Sequence, residues 1–193
     1  MGKTIGITGT PGTGKKTIAP VVASRLGLPC ISLNDLASAH GLTREGEPDS
    51  DVDTSALGQI FRREHRMPSV VFGHLLPNVL RRSDVSRVIV LRCEPSELRR
   101  RLVARGYPPD KVIANVEAEL IGLVAMEAYS SFGTDKTAEF DASGSRSAPT
   151  VSSIVKSLGR EGPSRRVIDW LPSYDSAPRL NALLSGTGKS ALT

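Results

Sequence analysis

The residues best suited to chemistry lie in one segment, ITGTPGTGKKT from Ile7 to Thr17. Gly9, Gly12 and Gly14 can take backbone conformations closed to other residues, so that consecutive N–H groups approach an oxyanion. Lys15 follows where a helix is expected to begin, which adds a mobile cation to the positive end of a helix dipole. This combination suits phosphate. Gly12, Thr13, Gly14, Lys15, Lys16 and Thr17 are expected to cradle ATP, with Lys15 bridging the β and γ phosphates. A glycine-rich structural turn is the alternative, and the position between a strand and a helix argues against it. The strict pattern asks for Ser or Thr directly after the lysine, but here Lys16 stands there and the hydroxyl arrives at Thr17. Thr17 is therefore the expected Mg²⁺ ligand. Lys16 either adds a phosphate contact or competes with the metal. Pro20 removes an amide and is expected to kink the first helix.

Other candidates are scattered. Arg105 is followed by GYPP, a turn able to swing a guanidinium over a transferring phosphoryl group, so Lys15 and Arg105 form the candidate catalytic pair. Arg99, Arg100 and Arg101 read as a solvated basic face, with Glu97 and Arg101 an i,i+4 pair. His74 follows an apolar run, at the carboxyl edge where an open parallel sheet places its ligand crevice, and is either a site residue or a structural histidine. Asp51 and Asp53 either orient a monophosphate substrate or are solvated loop carboxylates. Asn34 either contacts that substrate or caps its helix, and capping is favoured because Asn is among the best N-caps. The final SGTGKSALT echoes the phosphate pattern superficially, but Leu183 stands where its first glycine should be.

Strands are expected at Thr4 to Thr8, Leu28 to Leu33, Ser69 to Phe72, Arg87 to Arg92 and Ala138 to Asp141. Between them, helices are expected at Lys15 to Leu26, Leu33 to His40, Thr54 to Arg66, Pro95 to Arg105, Asp110 to Ser131 and Pro149 to Leu158. The alternation implies an α/β fold, a parallel sheet with helices on both faces. At 193 residues one domain is expected, over 1–170, with Trp170 as its last anchor before a flexible tail at 171–193. The stretch GLTREGEPDSDVD, Gly41 to Asp53, reads as an exposed flap. A formal charge of +5 favours anionic partners, whereas 4% aromatic content argues against a base-stacking platform. Two cysteines without metal-ligand spacing suggest buried thiols in a reducing compartment. No stretch approaches the roughly 20 apolar residues of a membrane span, so a soluble, cytoplasmic chain is expected.

The chain resembles the atypical adenylate kinases, nuclear in eukaryotes and with archaeal relatives, that also act in small ribosomal subunit maturation. GTPGTGKKT, NDLASAHGL from Asn34, DVD at Asp51 to Asp53, VVFGH at Val70 to His74 and LRRRLVARGYPPDKVIANVEAE from Leu98 to Glu119 carry the likeness. The resemblance implies a five-stranded P-loop NTPase fold, a monophosphate-binding region at about 33–54 and a short lid at about 104–114. It implies transfer of the ATP γ-phosphoryl group to AMP or another nucleoside monophosphate, with Mg²⁺, and an ATPase activity. It also implies binding to a small-subunit ribosomal protein and pre-rRNA late in rRNA processing. An alternative is an ATP-gated assembly factor with weak or no kinase activity, and a third reading is a non-catalytic nucleotide-binding module. The family has an acidic residue two positions before the histidine that helps hold Mg²⁺, and this chain has Phe72 there.

Overall fold

A computed structural model of the chain describes residues 4–42, 52–144, 147–159 and 167–185. The strands are β1 (Thr4–Thr8), β2 (Cys30–Ser32), β3 (Val70–Phe72), β4 (Val85–Arg92) and β5 (Thr137–Asp141). They form one sheet in the order β2-β3-β1-β4-β5, with all four pairings parallel. The helices are α1 (Lys15–Leu26), α2 (Leu33–Ala39), α3 (Thr54–Glu64), α4 (Leu76–Val79), α5 (Pro95–Ala104), α6 (Pro109–Leu120), α7 (Leu123–Phe132), α8 (Ala148–Leu158) and α9 (Ala177–Ser185). A 3₁₀ turn spans Leu171–Tyr174.

Alternation along the central strands divides the core. Ile5, Ile7, Phe72, Ile89 and Leu91 pack with Ile18, Ala19 and Val22 of α1 and Val151 and Ile154 of α8. Val71, Val88 and Val90 meet Leu57 and Phe61 of α3, Leu76 and Val79 of α4, and Ala128 and Phe132 of α7. The sheet is thus covered on both faces, as the alternating elements require. Chain order reverses around β1, whose neighbours are β3 and β4, so the ligand crevice of this fold opens where β1 ends and the loop to α1 begins.

Several expectations need correction. The long helix from Asp110 to Ser131 is two helices, broken at Gly122, whose φ of +70° takes the chain around a turn. The guanidinium of Arg92 fills that break and its Nη2 donates to the Glu119 carbonyl at 2.8 Å, satisfying a helix-end acceptor. The short helix α4 carries too little periodicity to be read from sequence. Residues 171–185, expected to be flexible, instead form the 3₁₀ turn and α9. Leu183 is buried at 4% exposure against Leu98, Leu102 and Val116 of α5 and α6, so the last anchor lies beyond Trp170. Tyr174 reinforces the packing by donating to Glu94, the residue that caps α5. Finally, Cys30 is exposed on edge strand β2, whereas Cys93 is buried and burial pushes its thiol up to about 12. Helix α1 runs unbroken through Pro20, which lies on its exposed side.

Candidate functional site

Helix α1 begins directly after the loop, with Gly14 at its N-cap in a left-handed conformation, φ +103°. Gly12 is equally constrained: at φ +94° an added Cβ would lie 2.6 Å from Leu98 Cδ1. Two glycines therefore shape the loop for different reasons, one to start the helix and one to press against α5. In the first turn of α1 the Thr17 N–H already donates to the Gly14 carbonyl at 3.0 Å, so the donors that the helix start offers to an anion are the N–H groups before it.

Lys15 is folded back onto this loop. Its Nζ donates to the carbonyls of Gly9 at 2.5 Å and Thr10 at 3.0 Å. Burial lowers its pKa to about 7; Glu119 opposes the fall and Arg105 adds to it. An oxyanion placed in the loop would offer Lys15 better acceptors than two carbonyls and favour the charge that burial penalises.

A cavity of about 260 Å³ opens beside the loop, lined by Thr13, Gly14, Thr17, Arg105, Ala142 and Ser147 among others. Arg105 is exposed at the end of α5, where its backbone closes the helix. Arg101 does more than pair with Glu97. It bonds Glu97 at 2.9 Å, and its Nη2 also donates to the carbonyls of Ala142 at 3.0 Å and Gly144 at 2.7 Å, tying α5 to the turn after β5. Arg101 therefore joins two segments that line the cavity. Arg100 keeps to Glu97 in an exposed ion pair.

The remaining candidates stand apart from this cavity. Asn34 lies in the first turn of α2, and the cap there is Ser32, whose Oγ accepts from Asp35 N–H at 3.2 Å. Asp53 caps α3, accepting from Ala56 N–H at 2.9 Å, so its carboxylate already has a structural task. Asp51 lies outside the described residues. His74 is half-buried two residues beyond β3, at the carboxyl edge of the sheet. Phe72 turns inward among Ile7, Ile18 and Ala19 at 9% exposure, extending apolar packing where the resemblance implies a carboxylate. Lys16 is exposed on α1.

Behind the loop is a buried charge network that the sequence reading did not identify. Arg92 lies between two carboxylates, with Nε 2.7 Å from Glu119 and Nη1 2.6 Å from Glu139; all three side chains are 3% exposed or less. Burial alone would lower the Arg92 pKa, but the two glutamates hold it above its ordinary value. Tyr129 and the Ile168 backbone complete the shell of Glu139. The signal in the sequence was Glu119 itself, which shares the buried face of α6 with Val112, Val116 and Leu120. An acidic residue in that stripe needs a partner.

Among the described residues no group of three or more His, Cys, Asp or Glu could hold a metal ion. The donors fit Mg²⁺ only as a substrate-borne ion. Mg²⁺ keeps several waters and takes substrate phosphates as ligands, and Thr17 supplies one hydroxyl at the cavity wall.

A family model described as an AAA domain matches residues 5–122. A protein of Thermococcus onnurineus named "Putative adenylate kinase" is 34% identical over 174 residues, covering 89% of this chain and 93% of that one. One of the same name from Pyrococcus furiosus is 36% identical over 177 residues, covering 89% and 93%. Among solved structures, a shikimate kinase from Bacteroides thetaiotaomicron superposes with a TM-score of 0.57 over 81% of this chain and 95% of its own, at 17% identity, a likeness of fold. With these matches spanning the phosphate loop, the whole sheet and both flanking layers, the chain belongs to this adenylate kinase-like family of P-loop, AAA-domain proteins.

Proposed function

We propose that the chain is a nucleoside monophosphate kinase that moves the γ-phosphoryl group of ATP to AMP or another nucleoside monophosphate. The observation that carries this reading is the loop itself: Lys15 held at its base by two carbonyls, beside a cavity that Arg105 borders. The β–γ bridging bond of ATP breaks as a phosphate oxygen of AMP bonds to the γ phosphorus, and two ADP result. Little covalent chemistry falls to the protein, so positioning and electrostatics do the work. Loop amides and the start of α1 bind the phosphates, Lys15 leaves its carbonyls for phosphate oxygens, and Arg105 offsets charge on the transferred group. Residues 104–114 act as a lid that excludes water, since water admitted to the site turns transfer into ATP hydrolysis. Bound with ATP, Mg²⁺ neutralises phosphate charge, with Thr17 as its protein ligand. Asn34, Asp51, Asp53 and His74 are proposed for the monophosphate side, with Asp53 also capping α3.

A second reading is favoured by Phe72. An apolar ring in place of an acidic metal partner suits slow chemistry and nucleotide-gated binding of a small-subunit ribosomal protein or pre-rRNA, the assembly role that the resemblance implies. ADP formed from ATP only when AMP is present supports the kinase. Phosphate release without AMP, with salt-sensitive binding to small-subunit RNA, supports the second reading.

A further inference from the structure

Glu119 divides its carboxylate between two parts of the molecule. Oε2 accepts from the hydroxyl of Thr10 in the phosphate loop at 2.6 Å. Oε1 accepts from Arg92 Nε at 2.7 Å, the Cys93 backbone N–H at 3.0 Å and the indole N–H of Trp170 at 3.3 Å. Thr10 and Glu119 are each 1% exposed, so neither offers a surface to ligand. Thr10 is nevertheless the hub of the loop. Its carbonyl accepts from the Thr13 N–H at 3.2 Å, the Thr13 hydroxyl at 2.9 Å and Lys15 Nζ at 3.0 Å.

Any nucleotide that draws Lys15 away removes one of the three donors holding the Thr10 carbonyl. What then keeps Thr10 in place is its hydroxyl, through a short hydrogen bond to an ionised group, roughly twice as strong as a neutral one. The acceptor is itself fixed by Arg92, whose other end is held by Glu139 and the Ile168 carbonyl. The same carboxylate that takes up the load at Thr10 also holds the Trp170 indole.

We propose that Glu119 is a positioning residue for the phosphate loop, fixing Thr10 while Lys15 exchanges carbonyls for phosphate, and that the Trp170 segment senses through it whether the loop is filled. This rests on the reading that the loop binds nucleotide.

The test uses the full chain, whose sole tryptophan is Trp170. ADP and MgATP binding are measured by calorimetry and, in parallel, by Trp170 emission, for the native chain, Thr10→Val, Thr10→Ser and Glu119→Gln. Thr10→Val keeps the shape and leaves both Arg92 ion pairs intact, so it stands even where Glu119→Gln fails to fold. Nucleotide should change Trp170 emission in the native chain. Thr10→Val should weaken binding roughly tenfold and abolish the emission change, and Thr10→Ser should restore both. Glu119→Gln, whose neutral amide holds the Thr10 hydroxyl less strongly, should weaken binding and blunt the emission change in the same direction. Native-like affinity in Thr10→Val overturns the positioning role, and native binding with no emission change overturns the sensing. A native chain that binds no nucleotide by calorimetry overturns the proposed function and this inference together.

Discussion

Nucleotide entering the loop should draw a proton onto Lys15. In the free protein burial lowers this ammonium to about 7, with Glu119 raising it and Arg105 lowering it. At pH 8.5 the free side chain is therefore almost entirely neutral, whereas phosphate oxygens in the filled loop favour the charged form. Binding MgATP at pH 8.5 should take up about one proton, and binding at pH 5.5 about none, because Lys15 is already charged there. The same linkage makes affinity fall by up to about tenfold per pH unit above pH 7, until the bound lysine itself titrates. For stability the sign is reversed. The unfolded chain holds the Lys15 proton up to the ordinary value of 10.5, so the cost of burying the charge is fully present below pH 7 and fades as pH rises toward 10.5. Titration calorimetry in two buffers of different ionisation enthalpy measures the uptake. Lys15→Arg is the control, since a guanidinium stays charged and should take up no proton. Equal, near-zero uptake at both pH values in the native chain refutes a neutral Lys15 in the empty loop.

Gly12→Ala should lower stability by about 2–4 kcal/mol, through a strained positive φ and a Cβ driven against Leu98; a fall in Tm of roughly 4–16 °C in thermal unfolding is the check. Leu183→Ala should cost about 2–4 kcal/mol in denaturant unfolding if α9 is part of the folded unit, and an unchanged midpoint would mark residues 171–185 as dispensable. Arg101→Ala should raise the KM for ATP several-fold at similar Tm, because the turn at Ala142 to Gly144 loses its tie to α5.

Much of this molecule was legible in its sequence for a physical reason. Apolar runs of strand length are fully buried in a parallel sheet, so β1 and β4 announced themselves as uninterrupted stretches, and the glycines and Lys15 fixed the loop between β1 and α1. What escaped was set by contacts distant in the chain. The break at Gly122 depends on Arg92, thirty residues earlier, and nothing within the helical pattern from Asp110 onward demands it. The Ser, Gly and Ala-rich tail composition hid Leu180, Leu183 and Leu184, which pack α9 against α5 and α6. Asn34 looked like a cap by type, but Ser32 stands at the position where the chain turns into α2. Glu119 ends the segment from Leu98 that carries the family likeness, yet its role needs Thr10, Arg92 and Trp170 at one point in space.

The most direct measurement follows ADP formation from MgATP with and without AMP, for the native chain, Lys15→Ala and Phe72→Asp. Phosphoryl transfer by this loop requires AMP-dependent formation of two ADP per ATP in the native chain, reduced at least about a hundredfold in Lys15→Ala. ADP formation indifferent to AMP, or equal in Lys15→Ala, would contradict it; activity gained only in Phe72→Asp would identify nucleotide-gated binding as the native chain's work.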